Sequence, residues 1–225
     1  MQLPLRLKYF SAPRYNRYLT SVGNDDQKAE RLYQGNIRLS QAFQPLLAQF
    51  EIVFRNTLND VMAGYFGDAD WVMNQKTGFM DHKTLRPKLY LKKSVQRAED
   101  GLIREGLPLS NGKIIADQTL GFWVSLFNTV HYKLIGGQPI HVFPHKPSSE
   151  NRSSIHGRLE EVQKFRNRVS HQEPICFNQN NIDCTRSIMV RKQIFDLVEW
   201  IEPDLLPFFQ GLDNIQDEID EIMNI

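Results

Sequence analysis

The 225-residue sequence predicts an all-α fold, and three observations predict it. Apolar residues recur at spacings of three and four, most clearly in Leu46, Leu47, Phe50, Phe54, Leu58, Val61, Met62 and Tyr65. That series makes one broad stripe on a helix. Glycine and proline fall between such segments, where helices stop. No internal repeat and no sustained apolar/polar alternation of the β kind stands out.

Taken in order, Ser11 before Ala12-Pro13 opens a short helix to about Val22, and Gly23-Asn24 breaks it. Asn24 or Asp25 caps a second helix through Ala29, Leu32, Ile37 and Leu39 toward Phe43. Pro45 opens a fresh helix or kinks a continuing one. The third helix is the stripe itself, ended by Gly67. The loop Asp68–Gly78 follows, anchored by Trp71. A fourth helix spans Lys83 to Glu105, with Thr84 as cap, Pro87 in the first turn and Gly106-Leu-Pro108 as stop. A fifth runs from about Asp117 to Leu134 and holds the apolar run Leu120–Phe127. Three prolines make residues 138–149 a connector. Ser148 or Ser149 caps a sixth helix, about 149–173, with Leu159, Val162, Phe165 and Val169 on one face. After the asparagine-rich loop 178–181, a seventh begins near Asp183 and is interrupted by Pro203 and Pro207. The acidic segment 204–225 reads as a short helix or a frayed tail. The whole chain reads as one domain over 1–225.

Composition bounds the function. Apolar residues at 41% and charged residues at 24% are those of a soluble globular protein, not of a disordered or fibrous one. Two cysteines cannot make a disulfide scaffold, which points to a reducing, cytoplasmic setting. Leu3, Leu5 and Leu7 alternate with Pro4, Arg6 and Lys8, so the N-terminus lacks the apolar run of a targeting signal. No stretch approaches the roughly 18 apolar residues of a membrane span.

Net charge is +1, which excludes a blanket electrostatic grip on nucleic acid but not local patches. Residues 83–97 carry six basic side chains and no acid, whereas 196–225 carry nine acids and no Lys or Arg. Either run reads as a solvated helix face. The sharper reading of the basic run makes Lys88, Lys92 and Lys93 phosphate contacts. The six histidines are scattered, and His141 and His145 lack any HExxH context, so no metal site is expected. No phosphate-binding loop, dinucleotide fingerprint or nucleophile elbow occurs, and no cofactor is expected.

One constellation carries chemistry: Phe165-Arg166-Asn167-Arg168-Val169-Ser170-His171-Gln172-Glu173-Pro174. Phe165 and Val169 face the core. Asn167 and His171, also four apart, stack on another face, with Arg166 about 100° round from Asn167. Pro174 ends the helix close to His171. The helix end thus presents an imidazole, a guanidinium and an amide. That set suits metal-free phosphoryl transfer on RNA: the imidazole moves the proton of a ribose 2′-hydroxyl, and the guanidinium holds the phosphate. On spacing alone, a capping histidine beside surface arginines is the plainer reading.

Arg166-Asn167-x-x-x-His171 resembles the R-N-x-x-x-H form of the Rx4–6H motif of HEPN-superfamily proteins. Its continuation, Gln172-Glu173-Pro174-Ile175, resembles the RNxxxHxEPI segment of the Abi-like family, the bacterial abortive-infection proteins. Glu51-x-x-x-Arg55-Asn56, Tyr65-Phe66-Gly67 through Trp71, and Leu120–Phe127 are similar to further blocks of that family, as is Tyr33-x-x-Asn36-x-x-Leu39-Ser40. The likeness covers roughly residues 10 to 205. It implies an all-α HEPN-like bundle with additional helices. It implies a homodimer with the two motif helices meeting at a shared cleft. It also implies a metal-independent endoribonuclease of phage defence or toxin–antitoxin type, with an antitoxin or other protein as partner. Arg166, Asn167 and His171 are the implied catalytic residues, with Glu173 following in the same block. Arg55 and Asn56 are either support for the motif or, with Glu51, a structural ion pair. A non-catalytic HEPN module that binds RNA or a protein is the alternative, and a helical scaffold with no nucleic-acid role is the third reading.

Overall fold

The computed structural model describes residues 2–225, and among them the fold is all-α apart from one small hairpin. The chain opens with α1 (Leu3–Tyr9) and α2 (Ala12–Ser21), each with a proline in its first turn. Asp25 then caps α3 (Asp26–Phe66), its Oδ1 accepting from the amides of Gln27 and Lys28, both at 3.0 Å. α3 is 41 residues long and continues through Pro45, so the second and third expected helices are one. Gly67, at φ +61°, ends it. Trp71 is buried as expected, but it begins a short helix, α4 (Trp71–Asn74), and its Nε1 donates to Asn59 Oδ1 at 3.0 Å.

The expected helix over Lys83–Glu105 starts late, as α5 (Tyr90–Arg104). Arg86, preceding Pro87, is extended, as residues before proline tend to be. Leu89 is left-handed at φ 45°, so helical geometry cannot pass back through these positions. An unexpected α6 (Asn111–Asp117) precedes the single helix expected over 117–134, and that helix is itself two, α7 (Leu120–Ser125) and α8 (Thr129–Leu134). Gln118 and Thr119 are extended between α6 and α7. The buried Gln118 side chain turns back, donating to the Ile114 carbonyl at 2.9 Å and accepting from Ser94 Oγ at 2.7 Å. Such local bonding competes with helix continuation.

α9 (Arg152–Ser170) is capped by Asn151, not by Ser148 or Ser149. Asn151 Oδ1 accepts from the amides of Ser153 at 2.8 Å and Ser154 at 3.3 Å. The asparagine-rich loop is a hairpin, β1 (Phe177–Asn178) paired antiparallel with β2 (Asn181–Ile182). α10 (Thr185–Ile201), α11 (Leu206–Gly211) and α12 (Ile215–Met223) complete the chain. Among the described residues no helix is long and apolar enough to cross a membrane.

The chain divides into two compact units. The first comprises the residues up to Gln49, Lys164–Asp196 and Asp204–Ile225; the second comprises Phe50–Gln163 and Leu197–Pro203. The first buries Tyr15, Tyr18, Leu32, Phe43, Phe165, Val169 and Ile194. Phe43 and Phe165 are packed at 4.7 Å between ring centroids. Of the two outcomes expected for the acidic end, the helix is the one found. Ile215, Ile219 and Ile222 of α12 are buried, and Arg38 pairs with Glu218 at 3.0 Å and with Glu221 at 2.5 Å. Gly35 admits this helix, since a Cβ there would lie 2.9 Å from Ile222 Cγ1. The second unit centres on Phe54, Met62, Trp71, Phe122, Trp123 and Phe127.

Candidate active site

The motif lies at the C-terminal end of α9, inside the first unit. Phe165 and Val169 face the core, as their spacing predicts. Arg166 is half-buried, while Asn167 and His171 are exposed. The helix stops at Ser170, a little before the expected boundary, and a specific turn stops it. The Gln172 amide donates to the Val169 carbonyl at 3.1 Å, and the Glu173 amide reaches back to the Arg168 carbonyl at 2.9 Å. That pair of bonds is the Schellman arrangement, with Gln172 in the left-handed position at φ 54°. His171 is therefore the residue just before the left-handed one. Its amide still bonds the Asn167 carbonyl at 3.0 Å, so its backbone remains tied to the helix. The result is an imidazole on rigid backbone that faces solvent, with Asn167 one turn earlier.

The turn is held from three sides. Arg14, on α2, donates to the backbone carbonyls of His171 and Gln172. Arg168 donates to the Pro174 carbonyl and pairs with Glu173 at 3.4 Å. Glu173 is thus an exposed partner of Arg168. Beyond Pro174, the Ile175 amide donates to Oδ1 of the buried Asn36 at 2.8 Å, and the Ile175 carbonyl accepts from the buried Ser187 Oγ at 2.9 Å. Both backbone groups of a buried residue are thereby satisfied by side chains from α3 and α10.

The other expected residues fall in the second unit. Arg55 is half-buried on α3, and its Nε donates to Oδ1 of its exposed neighbour Asn56 at 3.3 Å. Of the three lysines, Lys88 and Lys93 are exposed, but Lys92 pairs with Asp81 at 3.0 Å, and Arg86 lies 3.9 Å from the same carboxylate. The acid that offsets the basic run sits just before it in sequence. A cavity of about 640 Å³ in this unit is bordered by Arg86, Lys88, Tyr90, His131, His156 and Gln163. His131 is buried there, Nδ1–H donating to the Ser125 carbonyl at 2.8 Å, and burial holds its pKa below the usual range.

Cys176 and Cys184 are free, buried thiols. Burial pushes their pKa values up, to about 12 and about 11, so both stay protonated at neutral pH. Among the described residues no group of three or more His, Cys, Asp or Glu is arranged to hold a metal ion.

In comparisons with family models, curated proteins and solved structures, none matches this chain.

Several residues of the site escape sequence reasoning. Arg14 and Ser187 carry no local signal, because their partners lie more than a hundred and only a dozen residues away respectively, at backbone groups that sequence does not mark. Asn36 has one, since it stands among the residues of the Tyr33–Ser40 block, but its task as acceptor for Ile175 is visible only in the fold. Gln172 has none, because a left-handed residue here is not a glycine.

Proposed function

We propose that the chain is an Abi-like protein of the HEPN superfamily, a metal-independent endoribonuclease of bacterial phage defence or toxin–antitoxin type, working in the cytoplasm. One observation supports this most: an exposed His171 at a fixed helix end, with Asn167 stacked one turn before it and Arg166 beside that. In the reaction, the imidazole of His171 takes the proton of a ribose 2′-hydroxyl. The O2′–P bond forms, the P–O5′ bond breaks, and O5′ leaves with a proton from an imidazolium. The products are a 2′,3′-cyclic phosphate and a 5′-hydroxyl end. Arg166 holds the phosphate and offsets the added charge of the transition state. Asn167 orients His171 or the substrate.

Base and acid act on opposite sides of the phosphorus, and each chain offers one such histidine. We propose a homodimer in which two motif ends share one cleft, each supplying an imidazole and a guanidinium. Mixing His171→Ala chains with wild type then lowers activity more than dilution does. A species that cleaves RNA as a monomer at micromolar concentration defeats the shared cleft.

The deciding experiment incubates purified wild type and His171→Ala with total RNA in the presence of chelator. Wild type is expected to leave cyclic-phosphate ends and the variant none. Equal cleavage by both, or cleavage that needs one specific metal, sinks the mechanism. Binding without cleavage by wild type selects the non-catalytic module instead.

A further inference from the structure

The cavity of about 640 Å³ lies wholly within the second unit. That is a volume at which clefts enclose most of a small ligand. One buried side chain beside it keeps an open hydrogen-bonding atom. His131 is only 9% exposed, and its Nδ1–H donates to the Ser125 carbonyl at 2.8 Å. A carbonyl only accepts, so this bond fixes the tautomer and leaves Nε2 of the neutral ring as an acceptor. Nε2 has no partner among the described residues, and His131 lines the cavity. Buried polar atoms are paired as a rule, so Nε2 calls for an N–H or O–H from an occupant.

Two more polar groups converge at Gly121, which also borders the cavity. A Cβ on Gly121 would lie 2.7 Å from Gln163 Nε2 and 3.3 Å from the Tyr90 hydroxyl, so the absent side chain leaves room for both. Neither group has a hydrogen-bond partner among the described residues. Beside them the cavity is apolar: Val124 is buried, while Tyr90 and Val130 are each 44% exposed. An apolar slot edged by a free amide and an open acceptor fits a flat heterocycle, whose ring packs and whose edge carries donors and acceptors. An exocyclic amine has two hydrogens, one for His131 Nε2 and one for the Gln163 side-chain oxygen. Glutamine reads adenine through such an amine and the adjoining ring nitrogen. Exposed Lys88 borders the same cavity and gives a nucleotide's phosphate a partner. His156 and Glu160, 3.8 Å apart, pair with each other.

We propose that this cavity is a nucleotide site that takes an adenine base, with His131 Nε2 and the Gln163 amide on the base edge and Tyr90 against its ring. The base belongs to a free adenine nucleotide or to an RNA strand, and the recognition is the same in both. The site goes beyond the nuclease reading and does not depend on it, since every residue that forms it lies outside the motif's unit.

The test is calorimetric titration of the full chain with adenosine monophosphate, with inosine monophosphate and ribose 5-phosphate as controls. Inosine carries a carbonyl where adenosine carries the amine. The expected result is saturable binding of the adenosine nucleotide, roughly tenfold weaker binding of the inosine nucleotide and none of ribose 5-phosphate. His131→Asn keeps a donor for the Ser125 carbonyl and removes the open acceptor. Gly121→Ala puts a methyl where the Gln163 amide and the Tyr90 hydroxyl converge. Each should weaken adenosine monophosphate roughly tenfold. The methyl displaces the end of a flexible side chain, and alanine suits a helix better than glycine, so Gly121→Ala should resist urea as well as wild type does. A short oligoadenylate carrying 2′-O-methyl groups throughout, which cannot be cut, separates the two sources. If Gly121→Ala weakens it along with the mononucleotide, the base comes from RNA; if only the mononucleotide responds, the ligand is free. Either result supports the site. No saturable binding of adenosine monophosphate, or binding no tighter than that of either control, overturns it. So does unchanged affinity in both variants when urea melts show them folded. RNA ends left by wild type and His171→Ala report on the nuclease separately. Cleavage without adenosine monophosphate binding removes this site and leaves the nuclease standing, and binding without cleavage does the reverse.

Discussion

Two sets of basic residues in this chain differ both in sequence and in structure. Residues 83–97 gather six basic side chains on a short stretch, whereas Arg14, Arg17, Arg168 and Arg186 are spread over more than 170 positions. The dense run gives exposed lysines, while another of its lysines, Lys92, is already paired with Asp81. The scattered set gives arginines whose positions are fixed by backbone carbonyls and aromatic rings. Charge density along a sequence is therefore a poor guide to a site. What matters is whether the cations stand on anchored stems, because an exposed lysine holds its partner through loose geometry and screened charge.

The sharpest way to break the comparison is to remove chemistry from one region and not the other. His171→Ala is expected to lower the cleavage rate by about 10²–10⁴-fold, the ordinary worth of a general acid or base. Its side chain is exposed, so stability should hold within about 0.5 kcal/mol. Single-turnover kinetics and a urea melt measure both. Lys88→Gln/Lys93→Gln should leave the single-turnover rate intact, and a comparable loss from that pair would erase the distinction between the regions.

Next in size is the clamp behind the motif. Asn36→Leu removes the acceptor of the buried Ile175 amide, and a buried donor left unpaired costs about 1–3 kcal/mol. Urea unfolding should show that loss, and the exposed Asn167→Leu should not. A neutral Asn36→Leu would mean that the 174–175 segment relaxes to another partner.

The lysines supply a smaller effect. Replacing Lys88 and Lys93 with glutamine should flatten the salt dependence of RNA binding by about 1.4, near 0.7 for each single-strand phosphate left without its cation. Lys92→Gln should leave the slope unchanged, since its ammonium pairs with Asp81. No change from the double replacement would make the run a solvated face. A slope change from Lys92→Gln would show that the Asp81 pair opens on binding.

The helical class was legible because its evidence is local: apolar residues three and four apart put Phe50, Phe54, Leu58 and Met62 on one buried face. Helix ends were legible where glycine marks them, as at Gly67 and Gly106. The boundaries failed where the deciding interaction is a side chain folding back, as Gln118 does on Ile114, or a backbone state that no residue type announces, as at Leu89. The motif itself is contiguous and could be read. Its supports could not, since Arg14 lies 157 residues before His171 and Asn36 lies 139 before Ile175.

The helix ends supply the last and smallest prediction. α3 and α5 finish in the same two-bond turn as α9. Asp68 bonds back to Ala63 and Gly67 to Gly64 in one; Leu107 bonds back to Leu102 and Gly106 to Ile103 in the other. In both, the left-handed residue is glycine, at φ +61° and +68°. In α9 it is Gln172 at φ 54°, although glycine would sit there without the clash between Cβ and the backbone. That clash costs about 1–2 kcal/mol, and glycine recovers part of it while adding freedom to the unfolded chain. Gln172→Gly is therefore expected to stabilise the protein by up to about 1 kcal/mol, read as a higher urea midpoint at unchanged slope. The Arg14 contact survives, because it is made to the residue 172 carbonyl and not to the side chain. If the turn matters only for placing His171, kcat stays as it was. If kcat falls while stability rises, the glutamine amide itself works on the substrate, and the strain is kept for that use. A loss of stability would instead show that the Gln172 side chain supports the turn.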